Sequence, residues 1–425
     1  MCLCTNAALS YSSASSAPQS IHLLEHFTNL PDPRIDRTKR HKLIDIVGVS
    51  ICAVVCGAEG WTAIEEYGHA KQAWLHQFFE LPNGIPSDDT FRRVFTRLSP
   101  TQLQDRFLGW VQSLSVHTTG QVIAIDGKSV RRSYDRGGNK GAIHMISAWA
   151  SANRVVLGQV KTEEKSNEIT AIPELLALLA LEGCIVTIDA MGCQKAIATQ
   201  IVDQNADYVL ALKGNQGTIH QHVVEFFDQE QKQEQKQEQE QEQEQKQEQK
   251  QEQKQEQEQK QKQKQKQKQN AWERATEYYE TVDGEHGRIE IRRYWQVSDV
   301  TWLDERSQWK HLQSVGMVES ERHLEEQVSV ERRYYLSSLA QGVRQFAEAV
   351  REHWGIENSV HWVLDVTFRE DESRIRKGYA PENFAVLRHI ALNLLRQDTS
   401  GKRSIKMKRA RAGWDDHYLA HILLE

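Results

Sequence analysis

Cysteine is scarce and unpatterned here: six residues in a 425-residue chain, with no CxxC pair and no zinc-ligand spacing to histidine. That argues against a disulfide-built or zinc-built fold and fits a reduced, intracellular setting. Cys184 and Cys193 flank a strand-like run and read as small core residues. Long apolar runs are missing too. The stretch Ile44–Ala58 is too short to span a bilayer, and Asp45 interrupts it. The amino terminus lacks the basic start and apolar stretch of a secretion signal. The expectation is a soluble, cytoplasmic protein without membrane contact. A basic excess is also absent, since 53 Lys and Arg face 59 Asp and Glu for a net charge of −6. A polyanionic partner would therefore have to be met by a local basic face. Such a cluster occurs late, where Lys402, Arg403, Lys406, Lys408, Arg409 and Arg411 lie within ten residues. The plainer alternative for it is a solvated tail.

Residues 1–20 are small and polar and read as disordered. Residues 21–115 carry a helical pattern. Ile44, Val47, Ile51, Val54 and Val55 fall at helical spacing, followed by Trp61, Ile64, Tyr67 and Trp74. Ser87, before Asp88 and Asp89, reads as a helix N-cap with acids in the first turn. The helix it opens, TFRRVFTRL, puts Arg92 and Arg93 on its polar side. This suits part of a helix-turn-helix, with those arginines as candidate DNA contacts, or else a solvated face.

The rhythm changes at Gln121. Residues 120–217 read β-β-β-α-β-α-β, with Gly183 closing the first helix, which predicts a mixed sheet with helices on its faces. Ribonuclease-H-like nucleases and integrases share that order. Residues 229–269 hold Gln at every odd position with only Glu or Lys between, so this tract has nothing to bury. It reads as an expanded repeat within an insertion spanning residues 218–340. After the tract, RIEIRRYWQV, HLQSVGMVESER and VERRYYLSSL read as an antiparallel β-rich unit. Residues 341–397 turn helical again, as the end of the catalytic core, and residues 398–425 form a basic tail.

Three carboxylates stand in distinctive settings: Asp126 in QVIAIDGKS, Asp189 in CIVTIDAMG and Glu357 in REHWGIENSVHW. Each aspartate ends a β-branched run and so belongs at a strand tip. Acids gathered from distant segments repel one another unless a cation lies between them. Oxygen-rich sites of that kind suit Mg²⁺ or Mn²⁺, and paired ions cut and join phosphodiesters. Lys128, Arg131 and Lys213 lie close by in sequence or at similar strand ends and are candidate phosphate contacts. His353, Glu357 and His361 are spaced as a ladder that could take zinc, but the acids favour a hard metal. Asp365, Glu370 and Asp371 compete with Glu357 for the third ligand role, while Trp354, Trp362 and Phe368 read as core.

The segments AIDGKSVRRS, IDAMGCQKAIA, YVLALKGNQG and HWGIENSVHWVLDVTFREDESR, with GIPSDDTFRRVF earlier, resemble insertion-sequence transposases of the DDE superfamily. The similar group carries an amino-terminal transposase-associated domain and includes H-repeat-associated proteins. The resemblance implies a ribonuclease-H-like core with a β-rich insertion, preceded by a small helical domain. It also implies a two-Mg²⁺ mechanism, with Mn²⁺ as substitute, in which Asp126, Asp189 and Glu357 are the catalytic and metal-binding acids. Double-stranded DNA, as element ends and target, would be the partner, handled by a homodimer on DNA. Where many relatives carry Tyr, Arg and Lys around the glutamate, this chain has Val350, His353 and Leu364. His353 or Arg351 would then supply the cationic contact. A catalytically inactive DNA-binding remnant, or a nuclease that cuts without joining, is the rival expectation.

Overall fold

A computed structural model describes residues 21–114, 119–134, 141–162, 168–230, 232, 276–285, 288–324 and 327–424. The first 20 residues, and all of the Gln-rich tract except Gln229, Glu230 and Lys232, lie outside them. The chain forms two units, residues 1–110 with 377–425, and residues 111–376.

The first unit is helical. Its centre is the helix Leu43–Val55, buried from Asp45 onward, packed against Ala380–Gln397, buried from Ala380 to Leu395. A helix buried on nearly every side belongs in a core. Asp45 is tolerated there because Leu81 donates its backbone N–H to the carboxylate at 3.0 Å. Around this pair, Trp61 stacks on Phe95 and meets Phe384 edge-on, with centroids 5.3 and 5.1 Å apart. Helix Asp88–Arg97 buries Phe91, Val94 and Phe95 as its periodicity predicts. Its N-terminal cap is not the side chain of Ser87, however. Asp88 donates its N–H to Glu65 at 3.0 Å, so a neighbouring helix does that work. Arg92 and Arg93 stay on the polar side, paired with Asp89.

Two placements in this unit come from packing. Ala380–Gln397, expected as the end of the catalytic core, packs with the amino-terminal helices. The basic tail is also no exposed string, but the helices Ile405–Trp414 and Asp416–Leu424. Lys402, Arg403 and Lys406 are exposed. Lys408 and Arg409 are buried, at 6% and 5% exposure. The last carbonyls of a helix lack intrahelical partners. Lys408 donates to Leu395 and Asp398 carbonyls at the end of Ala380–Gln397, and Arg409 donates to the Val54 carbonyl at the end of Leu43–Val55. Both cations hold helix ends and are removed from the candidate DNA contacts.

The second unit is a nine-stranded mixed sheet in the order β3-β2-β1-β4-β5-β9-β8-β7-β6. Its first part follows the sequence reading: β1 Val122–Ser129, β2 His144–Ala150, β3 Val155–Lys161, helix Glu168–Leu178, β4 Ile185–Ile188, helix Lys195–Asp203 and β5 Asp207–Leu212. The period-two alternation sorts the core into two layers. Ile123, Ile125, Val186 and Ile188 pack towards those two helices. Val122, Ile185 and Val209 pack on the opposite face with Val343, Phe346 and Val350 of helix Val343–Ile356. Gly183 does not close the helix as expected, because the helix ends at Leu178; it turns the chain into β4 at φ +71°, a conformation glycine takes without strain.

The insertion is antiparallel as expected, but it is not a separate unit. Its strands β6 Thr276–Glu285, β7 Arg288–Val297, β8 Ser314–Leu324 and β9 Gln327–Ser337 continue the same sheet. β9 pairs antiparallel with β5, Leu212 opposite Tyr334 and Leu210 opposite Leu336, and so covers an edge that would otherwise stay open. The first of these strands, β6, goes beyond the three that the sequence suggests.

Candidate active site

The register places the two aspartates. β1 and β4 run parallel, with Ile125 opposite Ile188, so Asp126 and Asp189 come next, side by side. Asp189 follows the last residue of β4 as expected, whereas Asp126 lies within β1, which continues paired with β2 as far as Ser129. Asp189 is oriented by its own turn, since Oδ1 accepts the N–H groups of Met191 at 3.0 Å and Gly192 at 3.3 Å. The even-numbered face of β1, which carries Asp126, is the face covered by helix Val343–Ile356. That helix widens into a π-helical turn over Glu357–His361 before resuming as Trp362–Val366. Such insertions re-aim side chains and are frequent at functional sites. Glu357 opens the widened turn, and His361 closes it with Nδ1 3.3 Å from Asp126 Oδ2.

The electrostatics show three acids that sense one another. Burial pushes Asp126 up, but the His361 hydrogen bond and the His361 and His353 imidazoles outweigh it, leaving the carboxyl below its ordinary value. Asp189 is raised by burial, then by the charge of Glu168, with Asp126 adding to it. Glu357 is raised by partial burial and by Asp126, against opposition from His361 and Arg333. The surroundings thus favour the charged form at Asp126 and oppose it at Asp189 and Glu357.

Several assignments change on this geometry. Lys128, a candidate phosphate contact, is engaged within the protein: Nζ lies 2.5 Å from Asp365 and 2.7 Å from Glu370. Arg131 is exposed but pairs with Asp371 at 3.2 Å. These ion pairs account for the three acids that compete with Glu357 in sequence. His353 is covered, with Nδ1 3.0 Å from Thr187 Oγ1 on β4, and burial lowers its proton affinity. It locks helix to sheet and is a poor phosphate cation. Arg351 is paired with Asp283 at 3.6 Å. Lys213 remains exposed at the end of β5. Phe368 is core, whereas Trp362 is 59% exposed, contrary to its reading as core.

One residue was missed and one placed differently. His361, read in sequence only as part of a possible zinc ladder, lies beside Asp126, and its buried Nε2 has no hydrogen-bond partner among the described residues. Arg333 lies over the Trp354 ring at 4.4 Å and contributes positive charge at Glu357. Alternation along VERRYYLSSL gives the signal, because Arg333 shares a face with Tyr335, which packs under Phe346.

Among the described residues, no three His, Cys, Asp or Glu side chains are arranged as ligands of one metal ion. The donor chemistry nonetheless fits a hard divalent cation, because the converging groups are carboxylates.

Fold and site together define a mixed α/β protein with neighbouring acids at two inner strands of its sheet. The chain belongs to the DDE transposase family: the family described as "Transposase DDE domain" matches residues 117–394, and the DDE_Tnp_1-associated family matches 24–111. The Escherichia coli O157:H7 protein named "Putative transposase YncI" is 41% identical over 406 residues, 94% of each chain. The "H repeat-associated putative transposase YhhI" of Escherichia coli K12 is 38% identical, over 94% of this chain and 97% of that one. A shorter K12 relative named "Inactive transposase YbfQ" is 44% identical over 75 residues, 18% of this chain and 89% of its own. A solved piggyBac transposase synaptic complex with hairpin DNA covers 94% of this chain and 76% of its own, at 10% identity and a TM-score of 0.35, too low to bear on the fold.

Proposed function

We propose that this chain is a DNA transposase that binds the inverted-repeat ends of its element and carries out metal-dependent cleavage and strand transfer through Asp126, Asp189 and Glu357. The reading is supported by the adjacency of Asp126 on β1 to Asp189 after β4, and by the charge of both aspartates acting on Glu357 in the widened helical turn. The sheet order β3-β2-β1-β4-β5, with β2 antiparallel to β1 and β4 and β5 parallel to it, supports a ribonuclease-H-like core.

The three carboxylates would hold two Mg²⁺ ions, with Mn²⁺ as substitute, which supply activation of the attacking oxygen and stabilisation of the leaving one. The chain's own groups prepare that site. His361 fixes one oxygen of Asp126, and His353, bound to Thr187, pins the helix that delivers Glu357. Arg333 offsets charge at Glu357 and is the nearest replacement for the cationic contact expected of His353. Half-buried Arg92 and exposed Arg93, Arg131, Lys213, Lys402, Arg403 and Lys406 are candidates to position the DNA backbone. Synapsis of two ends calls for a homodimer on DNA. No helix among the described residues is long and apolar enough to cross a membrane, and the reading places the enzyme in the cytoplasm with chromosomal DNA.

The test combines labelled element ends, a target plasmid and Mg²⁺, with Asp126→Ala as control. Nicking and joining are expected in the wild type, and the variant should bind ends without cutting. Cleavage retained by Asp126→Ala would sink the assignment. End binding should weaken steeply with salt. The relative named as inactive makes a non-cutting remnant the alternative, and binding without cleavage by the wild type would select it.

A further inference from the structure

On the face of β1 opposite Asp126 runs a hydrogen-bonded chain that the catalytic reading does not use. Ser129 Oγ is 2.8 Å from His144 Nδ1, and His144 Nε2 is 2.7 Å from Glu168 Oε1. Ser129 and His144 are direct register partners on β1 and β2, and Glu168 opens the helix after β3. Glu168 and His144 are largely covered, with side chains 19% and 26% exposed. Among the described residues an imidazole is the hydrogen-bond partner of the Glu168 carboxylate, and a covered carboxylate is costly unless other groups share its charge.

Gly127 shows where that carboxylate lies. A Cβ built on Gly127 would fall 2.3 Å from Glu168 Oε1 and 2.5 Å from His144 Nε2. The pair therefore occupies the space a side chain would fill, one residue from Asp126. The Asp-Gly sequence, common in ordinary turns, has a specific reason here: the glycine lets an acid from the other face come up against β1.

We propose that Glu168, oriented by His144 and Ser129, is a fourth carboxylate of the acidic site and helps Asp126, one residue from the glycine it packs against, hold a divalent cation. This rests on the reading of Asp126, Asp189 and Glu357 as metal-binding acids. The His144 hydrogen bond uses Oε1, and a carboxylate has a second oxygen to offer. Ser129 and His144 are positioning residues: they fix the rotamer of Glu168 without themselves touching the reacting atoms.

The experiment measures Mn²⁺ binding to the full chain by calorimetry and electron paramagnetic resonance, without DNA, alongside thermal melting in chelator. Glu168→Gln keeps the side-chain shape and should weaken Mn²⁺ by about tenfold or more, the range seen when groups supporting a metal site are removed. Glu168→Asp should recover part of that loss. Gly127→Ala should reproduce it by displacing the carboxylate. In chelator, Glu168→Gln should melt no lower than the wild type, since it removes a repulsive charge; a purely structural role requires a lower melting point. Unchanged Mn²⁺ affinity in Glu168→Gln, while Asp126→Asn loses binding, would overturn the proposal and leave the three-acid reading intact. Equal affinity in the wild type and Asp126→Asn, or no binding by either, would overturn both.

Discussion

Replacing Lys128 with methionine separates two accounts of one cation. In sequence it looks like a phosphate contact beside Asp126; in the structure its ammonium is shared by Asp365 and Glu370, at 2.5 and 2.7 Å. The Lys128 side chain is 12% exposed and that of Glu370 only 3%. Removing one partner of a buried pair leaves the other charge uncompensated, a loss of about 3–5 kcal/mol. Asp365, a third exposed, adds less than about 1 kcal/mol. Urea titration with hydrogen exchange, monitored at β1 and at residues 365–371, reads this locally. Lys128→Met should lower local stability by the first figure, and Lys128→Met/Glu370→Gln should recover more than half of it. The acid pair outweighs burial and raises the lysine above its ordinary value. This contribution is therefore full below about pH 10.4, the unfolded value, and is lost as pH rises through the raised folded one. A loss under about 1 kcal/mol, with weaker DNA binding and a salt slope reduced by about one, would refute the structural account and restore the phosphate contact.

Two other outcomes rest on packing. Asp398, 2% exposed at its side chain, is raised by burial but brought well below the usual carboxylate range by Ser400, Tyr418 and Lys408. Its contribution to the first unit is present above about pH 3.9 and is lost as pH falls through the lowered value, so Asp398→Asn should flatten the acid limb of a pH–stability curve. Deleting residues 229–269 should preserve end binding and strand transfer and change stability by under about 1 kcal/mol, given the weak dependence of closure entropy on loop length. Loss of strand transfer in that deletion would give the tract a function.

Much of the second unit was legible because its local signals agree. Period-two runs, Gly183 and the helical stretches between them yield strands and helices in the observed order. Asp189 could be placed at a strand tip for the same reason, and Asp126 on the neighbouring strand, although β1 runs on past it. What escaped depends on partners distant in sequence. Lys408 and Arg409 look like tail charges until the carbonyls of Leu395 and Val54 are brought to them by folding. Lys128 looks free until Glu370 arrives from far down the chain. Strand β6 begins soon after the Gln-rich tract, so its Tyr278 and Tyr279 alternation had little context. The pairing of β9 with β5, which makes one sheet of two expected units, is a choice between open edges that no single segment encodes.

The first unit is assembled from both ends of the chain, with Ala380–Gln397 packed against Leu43–Val55 at its centre. This bears on how copies of such a gene decay. A premature stop codon anywhere before residue 377 takes away the carboxyl-terminal helices and, with them, the packing partner of Leu43–Val55, so a truncated copy cannot persist as a well-folded amino-terminal fragment. A missense change at Asp126 leaves both units whole. Among degenerating copies, the folded ones should therefore be full-length proteins with a damaged acid rather than shortened ones.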